Sequence, residues 1–208
     1  MIYSGFPSGP KYTKELYEKN YISKQTANYL LTYTHFPNPL FILGPVSTLI
    51  STKLSIKLLL SIIISNFIIA ITFHKKTPKI SLPQNKCLSF SKALNEAITS
   101  SLKTILIIYG TSLFFYLISL IITNYISLPP IPYITINAIF DLTKGIFSTS
   151  ILQSTIQKAL LILTFISFGS LSIHIQIKSI LSDTLNYKYF LLGRIISAII
   201  ALTIFLIL

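Results

Sequence analysis

The sequence predicts an all-α membrane protein with about four transmembrane helices and two further apolar segments that are broken or re-entrant. Three observations carry this reading. Of the 208 residues, 52% are hydrophobic and only 11% charged, where an ordinary soluble domain has about a quarter of its residues charged, so the chain lacks the charged shell that a water-facing surface needs. The mean hydropathy is +0.71. The basic residues, which bring Lys and Arg to 17 against 5 Asp and Glu, collect between the apolar runs, where they anchor spans at lipid headgroups. The expected environment is therefore the lipid bilayer, and nucleic acid is not an expected partner.

Taken in order, residues 1–36 read as a polar opening region with amphipathic helices, a surface hairpin in which Pro10 suits a first helical turn and Ser23 suits the cap of a second helix. Residues 37–208 read as the membrane domain. Its first segment, about 37–50, is apolar but interrupted by Pro37, Pro39, Gly44 and Pro45, and is shorter than the roughly 20 residues that cross a bilayer as a helix. Spans follow at about 56–73, 103–122, 158–181 and 189–208. The second has an amphipathic lead-in from Ala93 to Ser101. Between the second and third lies another interrupted segment, about 128–150, holding Pro129, Pro130, Pro132, Asp141, Lys144 and Gly145, a content that no lipid-exposed helix carries. The loop from His74 to Ser91 has four lysines and no acid, which the positive-inside rule assigns to the cytoplasm. The 178–188 loop falls on the same side if 128–150 turns back without crossing. Lys53 and the opening helices then fall on the opposite side.

No catalytic constellation is visible, and the expectation is a protein that is not an enzyme and needs no cofactor. Among the serines there is no nucleophile elbow, and no glycine-rich phosphate loop occurs. His35, His74 and His174 share no ligand spacing, and the single Cys87 stands alone, so no metal site is expected.

The informative feature is organisational. A broken apolar segment followed by a longer span occurs twice, around Gly44 and around Gly145, as in an internal repeat. In secondary transporters, paired discontinuous helices mark the substrate site, because their ends leave backbone N–H and C=O groups free for ions and polar ligands. The pattern therefore resembles part of an inverted-repeat transporter. Asp141, a carboxylate inside an apolar segment, reads either as a local partner of Lys144 or as a coupling-ion or gating residue. Arg194 reads either as a snorkelling anchor or as a bidentate carboxylate ligand. His174 and Gln176 are two residues apart, so only one of them can face a given pore.

Several stretches carry a family resemblance. Ser4-Gly5-Phe6-Pro7-Ser8-Gly9-Pro10-Lys11 resembles the SGYPxGAK motif of the YlbJ-type sporulation integral membrane proteins, with Pro10 in place of the usual Ala. The stretch that follows, as far as Pro39-Leu40-Phe41-Ile42-Leu43-Gly44, matches in kind and spacing. Phe140 to Gly145 resembles the LEITxG segment. Ser167 to Gln176 resembles SFGGLSVHAQ, with Ser170 in place of Gly, and Tyr189 to Ala201, with Arg194, fits the last helix. The resemblance implies a gate-like, nucleoside-recognition domain that moves dipicolinic acid, a small organic anion, across the outer forespore membrane of a spore-forming bacterium. Its alternatives are a structural or assembly protein of spore formation that transports nothing, or a nonfunctional fragment. Because the family motif lies near mid-chain, the resemblance also implies a partner that supplies the N-terminal half, either a separate chain or a second copy. The candidate path residues are Ser4, Gly5, Pro7, Gly9, Lys11, Asn38, Pro39, Gly44, Asp141, Thr143, Gly145, Gly169, Gln176 and Arg194.

Overall fold

The computed structural model describes residues 5–73 and 89–208, and every regular element among them is helical. The helices are α1 Ser8–Glu18, α2 Lys24–Tyr33, α3 Pro39–Ile50, α4 Thr52–Thr72 and α5 Phe90–Tyr125. They continue with α6 Pro130–Phe140, α7 Leu142–Ser148, α8 Thr155–Phe168, α9 Leu171–Leu181 and α10 Tyr187–Ile207. Helices α4, α5 and α10, and α8 with α9 taken together, are long and apolar enough to cross a membrane. Ser4 and most of the basic loop after α4 lie outside the described residues.

Helix α10 serves as the ruler. At its beginning, the Asn186 N–H donates to Asn28 Oδ1 in α2 (2.9 Å). Helix α4 runs antiparallel to it, with Lys57 Nζ 4.6 Å from the Phe205 ring centroid and the hydroxyls of Ser65 and Ser197 3.0 Å apart. The face α4 presents is Ser55, Leu58, Ser61, Ile62, Ser65 and Ile69, all buried; small residues at helical spacing let backbones approach closely in lipid, where packing rather than hydrophobicity drives association. The first turns of α5 and the end of α9 both meet the middle of α1, through Lys11 Nζ donating to Ser100 O (3.4 Å) and Lys14 Nζ to Ile180 O (2.8 Å). The segments before α5 and after α9 therefore leave from the same end of the bundle. Helix α1 sits at that end too, not at the opposite one as the sequence reading placed it. This end is called the near end below.

Two crossings are discontinuous. Helix α2 runs from the near end to mid-depth, and after a break at Thr34–Asn38, α3 continues to the far end, where Ser51, at φ +119°, turns the chain into α4. Pro37 and Pro39 make the break: each lacks an N–H and disfavours helix at the residue before it. The Asn38 side chain then accepts from Leu40 N–H (2.9 Å) and starts α3. Helices α8 and α9 form the second broken crossing, in the reverse direction. Gly169, at φ +94°, ends α8, and Ser170 caps α9 by accepting from Ile173 N–H (3.5 Å). Helices α6 and α7 form a re-entrant hairpin whose tip is Asp141.

Four expectations change. The opening region is not a surface hairpin, since α2 is half of a crossing, with Ala27 and Leu31 fully buried. The first interruption is not at Gly44, which lies in a π-helical turn (Ile42–Val46) with open space where a Cβ would be. The second span is not confined to 103–122, because its lead-in joins it in one helix over Phe90–Tyr125. The third, expected as one helix over 158–181, breaks at Gly169. In the α6–α7 hairpin, Gly145 lies against Ala138, and a Cβ at Gly145 would overlap Ala138 backbone atoms.

Candidate functional site

At mid-depth the structure holds a cavity of about 240 Å³ lined by Gly5, Phe6, Asn38, Asp141, Thr143, Ser172 and Gln176, with apolar neighbours, and closed on one side by Ile108 and Ser112 of α5. Four helices begin at this cavity. Gly5 and Phe6 precede α1, Asn38 caps α3, Asp141 caps α7, and Ser172 lies in the first turn of α9. The first N–H groups of a helix have no intrahelical acceptor, and the aligned peptide dipoles place about half a positive charge at that end. Converging starts therefore bring partial positive charge to the cavity wall without a positive side chain in it, alongside the carboxylate of Asp141. Gln176 Nε2 donates to Ser112 Oγ (3.3 Å), tying α9 to α5 across it.

The acid of the cavity is Asp141. One carboxylate oxygen accepts from the Lys144 backbone N–H (2.9 Å), so the charge is partly met by the start of α7. The Lys144 ammonium points elsewhere, to Ser119 Oγ (3.1 Å) and Thr123 Oγ1 (3.5 Å), and sits 5.1 Å from the Tyr116 ring centroid. Among the described residues no ion pair within 4 Å joins the two side chains. The Ser119 hydroxyl donates to Asn137 Oδ1 (2.5 Å), Asn137 Nδ2 donates to Ser148 Oγ (3.1 Å) and Ser148 Oγ donates to Lys144 O (2.8 Å). This ring holds the hairpin on α5.

Behind the cavity lies Arg194, 1% exposed. It is neither an anchor reaching for headgroups nor a ligand in the cavity wall. Its Nη1 donates to His35 O (3.3 Å) and Ser167 O (3.5 Å), and its Nη2 to Thr32 O (3.2 Å) and Asn66 Oδ1 (3.0 Å). Three of these acceptors are backbone carbonyls at the ends of α2 and α8, the helices that stop at the two broken crossings, and the fourth is a side chain of α4. A planar cation with five donors is suited to satisfying two sets of orphan carbonyls at the negative ends of their dipoles. The breaks thus have opposite poles, with helix starts on the cavity and helix ends on Arg194.

His174 braces the second break. Phe168 O can only accept, so Nε2 (3.1 Å away) carries the hydrogen, and in the neutral ring Nδ1 accepts from the Tyr187 hydroxyl (2.6 Å). His174 and Gln176 do face apart: Gln176 lines the central cavity, and His174, with Gly169, lines a separate one of about 330 Å³ between α6, α8, α9 and α10.

Of the residues singled out from the sequence, the cavity unites Gly5, Asn38, Asp141, Thr143 and Gln176. Pro7 and Gly9 are buried beside it, where Gly9 lets α1 lie on the Thr34 backbone. Pro39 is the first residue of α3. Lys11 stands in a polar recess of about 580 Å³ at the near end. Gly44, Gly145, Gly169 and Arg194 do not line the cavity, and Ser4 lies outside the described residues. Phe6, Ser112 and Ser172 were not singled out, and Lys144 was named only as a local partner of Asp141. Phe6 stood inside the motif already noted, and Ser112 carried a helical-spacing signal described below.

Fold and site together define an all-α integral membrane protein in which two discontinuous crossings and a re-entrant hairpin meet at a mid-depth cavity. The chain is 26% identical over 244 aligned positions to the sporulation integral membrane protein YlbJ of Bacillus subtilis (strain 168), a match that covers 95% of this chain. It agrees with the resemblance carried by the motifs. The chain spans 59% of the length of that relative. No family model matches the chain, and no solved structure matches it.

Proposed function

We propose that the chain is a transport component of a sporulation membrane and carries a small organic dianion, with dipicolinic acid as the expected cargo and the outer forespore membrane as the expected place. The observation that carries the reading is the convergence of four helix starts on one cavity. Fixed N–H groups and dipoles favour carboxylates at such a place, and in secondary transporters discontinuous helices aim these ends at anionic substrate groups. The cavity is small for a ligand site, which ordinarily has about 300–1,000 Å³, and so favours a compact cargo over a nucleoside-sized one. Asp141 stands where its negative charge would oppose an incoming carboxylate, and its proposed role is to take up a coupling cation or proton that offsets that repulsion. A separate chain or a second copy that supplies further helices is the proposed partner. No catalytic role is proposed.

The test is dipicolinate flux into sealed vesicles containing the full chain, with entry read as luminescence of enclosed terbium. The expected result is saturable uptake that falls at least about tenfold in Asp141→Asn, the loss of one charge-assisted interaction worth 1.4 kcal/mol or more. Neither flux nor ligand-dependent stabilisation in the wild-type chain would end the transport reading and leave the non-transporting assembly role.

A further inference from the structure

Helix α5 crosses the bundle almost unburied, yet one line of its surface is polar. Ser100, Thr104, Ser112, Tyr116, Ser119 and Thr123 recur at intervals of four, eight, four, three and four residues, which places them on one helical face. Four of them line a space, and the other two, Ser119 and Thr123, hold the Lys144 ammonium. Ser100 and Thr104 line the polar recess at the near end, Ser112 lines the central cavity, Ser112 and Tyr116 line a third space of about 260 Å³, and Tyr116 lines a fourth of about 430 Å³ at the far side. Asp141 and Thr143 are shared by the last three, so those spaces adjoin around the start of α7. From Thr104 to Thr123 the helix rises roughly 29 Å, the thickness of the hydrocarbon layer at about 30 Å.

The charges are placed at the ends. Lys11, Lys14 and Lys103 line the near recess together with Glu15, Glu18 and Glu96, and there Lys11 and Lys14 pair with Glu15 (4.0 Å) and Glu18 (3.5 Å). At the far end stands Lys144, half-buried, held by Ser119, Thr123 and the Tyr116 ring and facing the space that Tyr133, Ser148 and Ser150 complete. An ammonium held by neutral hydroxyls keeps its charge available to a passing anion in a way that one paired with a carboxylate does not. Asp141 is the nearby acid, and its carboxylate is engaged by the start of α7. We propose that the hydroxyl face of α5 is the wall of a membrane-crossing path for small anions and that Lys144 is the binding station at its far mouth. The nature of the cargo rests on the preceding proposal, whereas the existence and charge preference of the path do not.

The test is cysteine reactivity in sealed vesicles, in a full chain with Cys87→Ser. Thr104→Cys, Ser112→Cys and Thr123→Cys lie on the path, and Leu106→Cys and Leu117→Cys, on the opposite face and 71% and 47% exposed, are controls. Because only the thiolate reacts and it does not form in hydrocarbon, the path positions are expected to react at least about tenfold faster with the sulfonate-bearing thiosulfonate reagent. Lys144→Gln should slow that reagent at Ser112→Cys by roughly threefold or more and leave its trimethylammonium counterpart unslowed, as expected for a charge that focuses anions. Ser150→Asp, at an exposed site in the same space, should do the same should the first variant not fold. Equal reactivity of the two faces overturns the path. A path without the Lys144-dependent anion preference overturns the station. Absence of dipicolinate flux alongside a reactive, anion-preferring path would remove the cargo of the preceding proposal and leave this one standing.

Discussion

Arg194 shows how a single residue can be placed by its partners rather than by its neighbours in sequence. A buried guanidinium is costly unless its donors find acceptors, and here four oxygens from four residues take its two terminal nitrogens, while its Nε has no hydrogen-bond partner among the described residues. Arg194→Leu would leave those oxygens without donors in a water-free interior, a loss on the order of 3–5 kcal/mol. The expected result is a large drop in melting temperature in detergent, with Arg194→Lys recovering part of it because a point ammonium keeps the charge but not the fork. A leucine variant that melts with the wild type would mean that the helix ends are satisfied some other way. Asp141 separates by a different comparison. Asn caps a helix about as well as Asp, whereas Ala costs about 1 kcal/mol, so Asp141→Asn should melt like the wild type and Asp141→Ala below it. Equal melting of all three would deny the capping role.

At the scale of elements, Gly44 and Gly145 looked like counterparts in a repeat, and the structure separates them. Gly145 is the contact point of the α6–α7 hairpin, so Gly145→Val forces two helices apart, costs about 1–3 kcal/mol and moves Asp141 off the cavity. Gly44 is helical with open space around it, so Gly44→Ala should stabilise by about 0.5–1 kcal/mol through helix propensity. Thermal melting of the two variants checks both signs, and a shift in the same direction for both would contradict the packing described. The legibility of the sequence divides along the same line. Long apolar runs are visible because lipid demands them, and the interruption at 128–150 is visible because Pro and a charge break a run. The Gly169–Ser170 break was missed because an apolar run passes through it unbroken, although a Gly–Ser pair is a known cause of sharp kinks and Ser170 is a good cap. Arg194 was misread because no pattern along one chain says that two other helices end beside it. The hydroxyl line on α5 was present in the spacing all along, but hydroxyls on a lipid-spanning helix ordinarily bond their own backbone, as Thr104 does with Ser100 O (2.8 Å), and only the adjoining spaces give it meaning.

For the whole molecule, the near end gathers the start of α5, the end of α9, the start of α10 and the α1–α2 turn, and with them Lys14, Lys19, Lys24, Lys103, Lys178 and Lys188. The far end holds Lys53, Lys57 and Lys158 beside the turns into α4 and α8. From sequence alone, the basic opening helices oppose the basic loop after α4 across the membrane. In the fold α1 lies against the beginning of α5, so the two biases add instead of cancelling. Lysine placement in short loops sets orientation because each positive charge resists translocation, and the asymmetry predicts a cytoplasmic near end. In a Cys87→Ser background, Asn20→Cys and Asp183→Cys should be shielded from an impermeant maleimide in intact cells and labelled after permeabilisation, while Ser51→Cys and Ser154→Cys should be labelled without it. Labelling of Asn20→Cys and Ser154→Cys from the same side would contradict the fold itself, since it separates these turns by the full bundle. The reverse pattern, with both near-end sites open to the outside, would keep the fold and invert its orientation. It would then also invert the direction in which the Lys144 end receives anions.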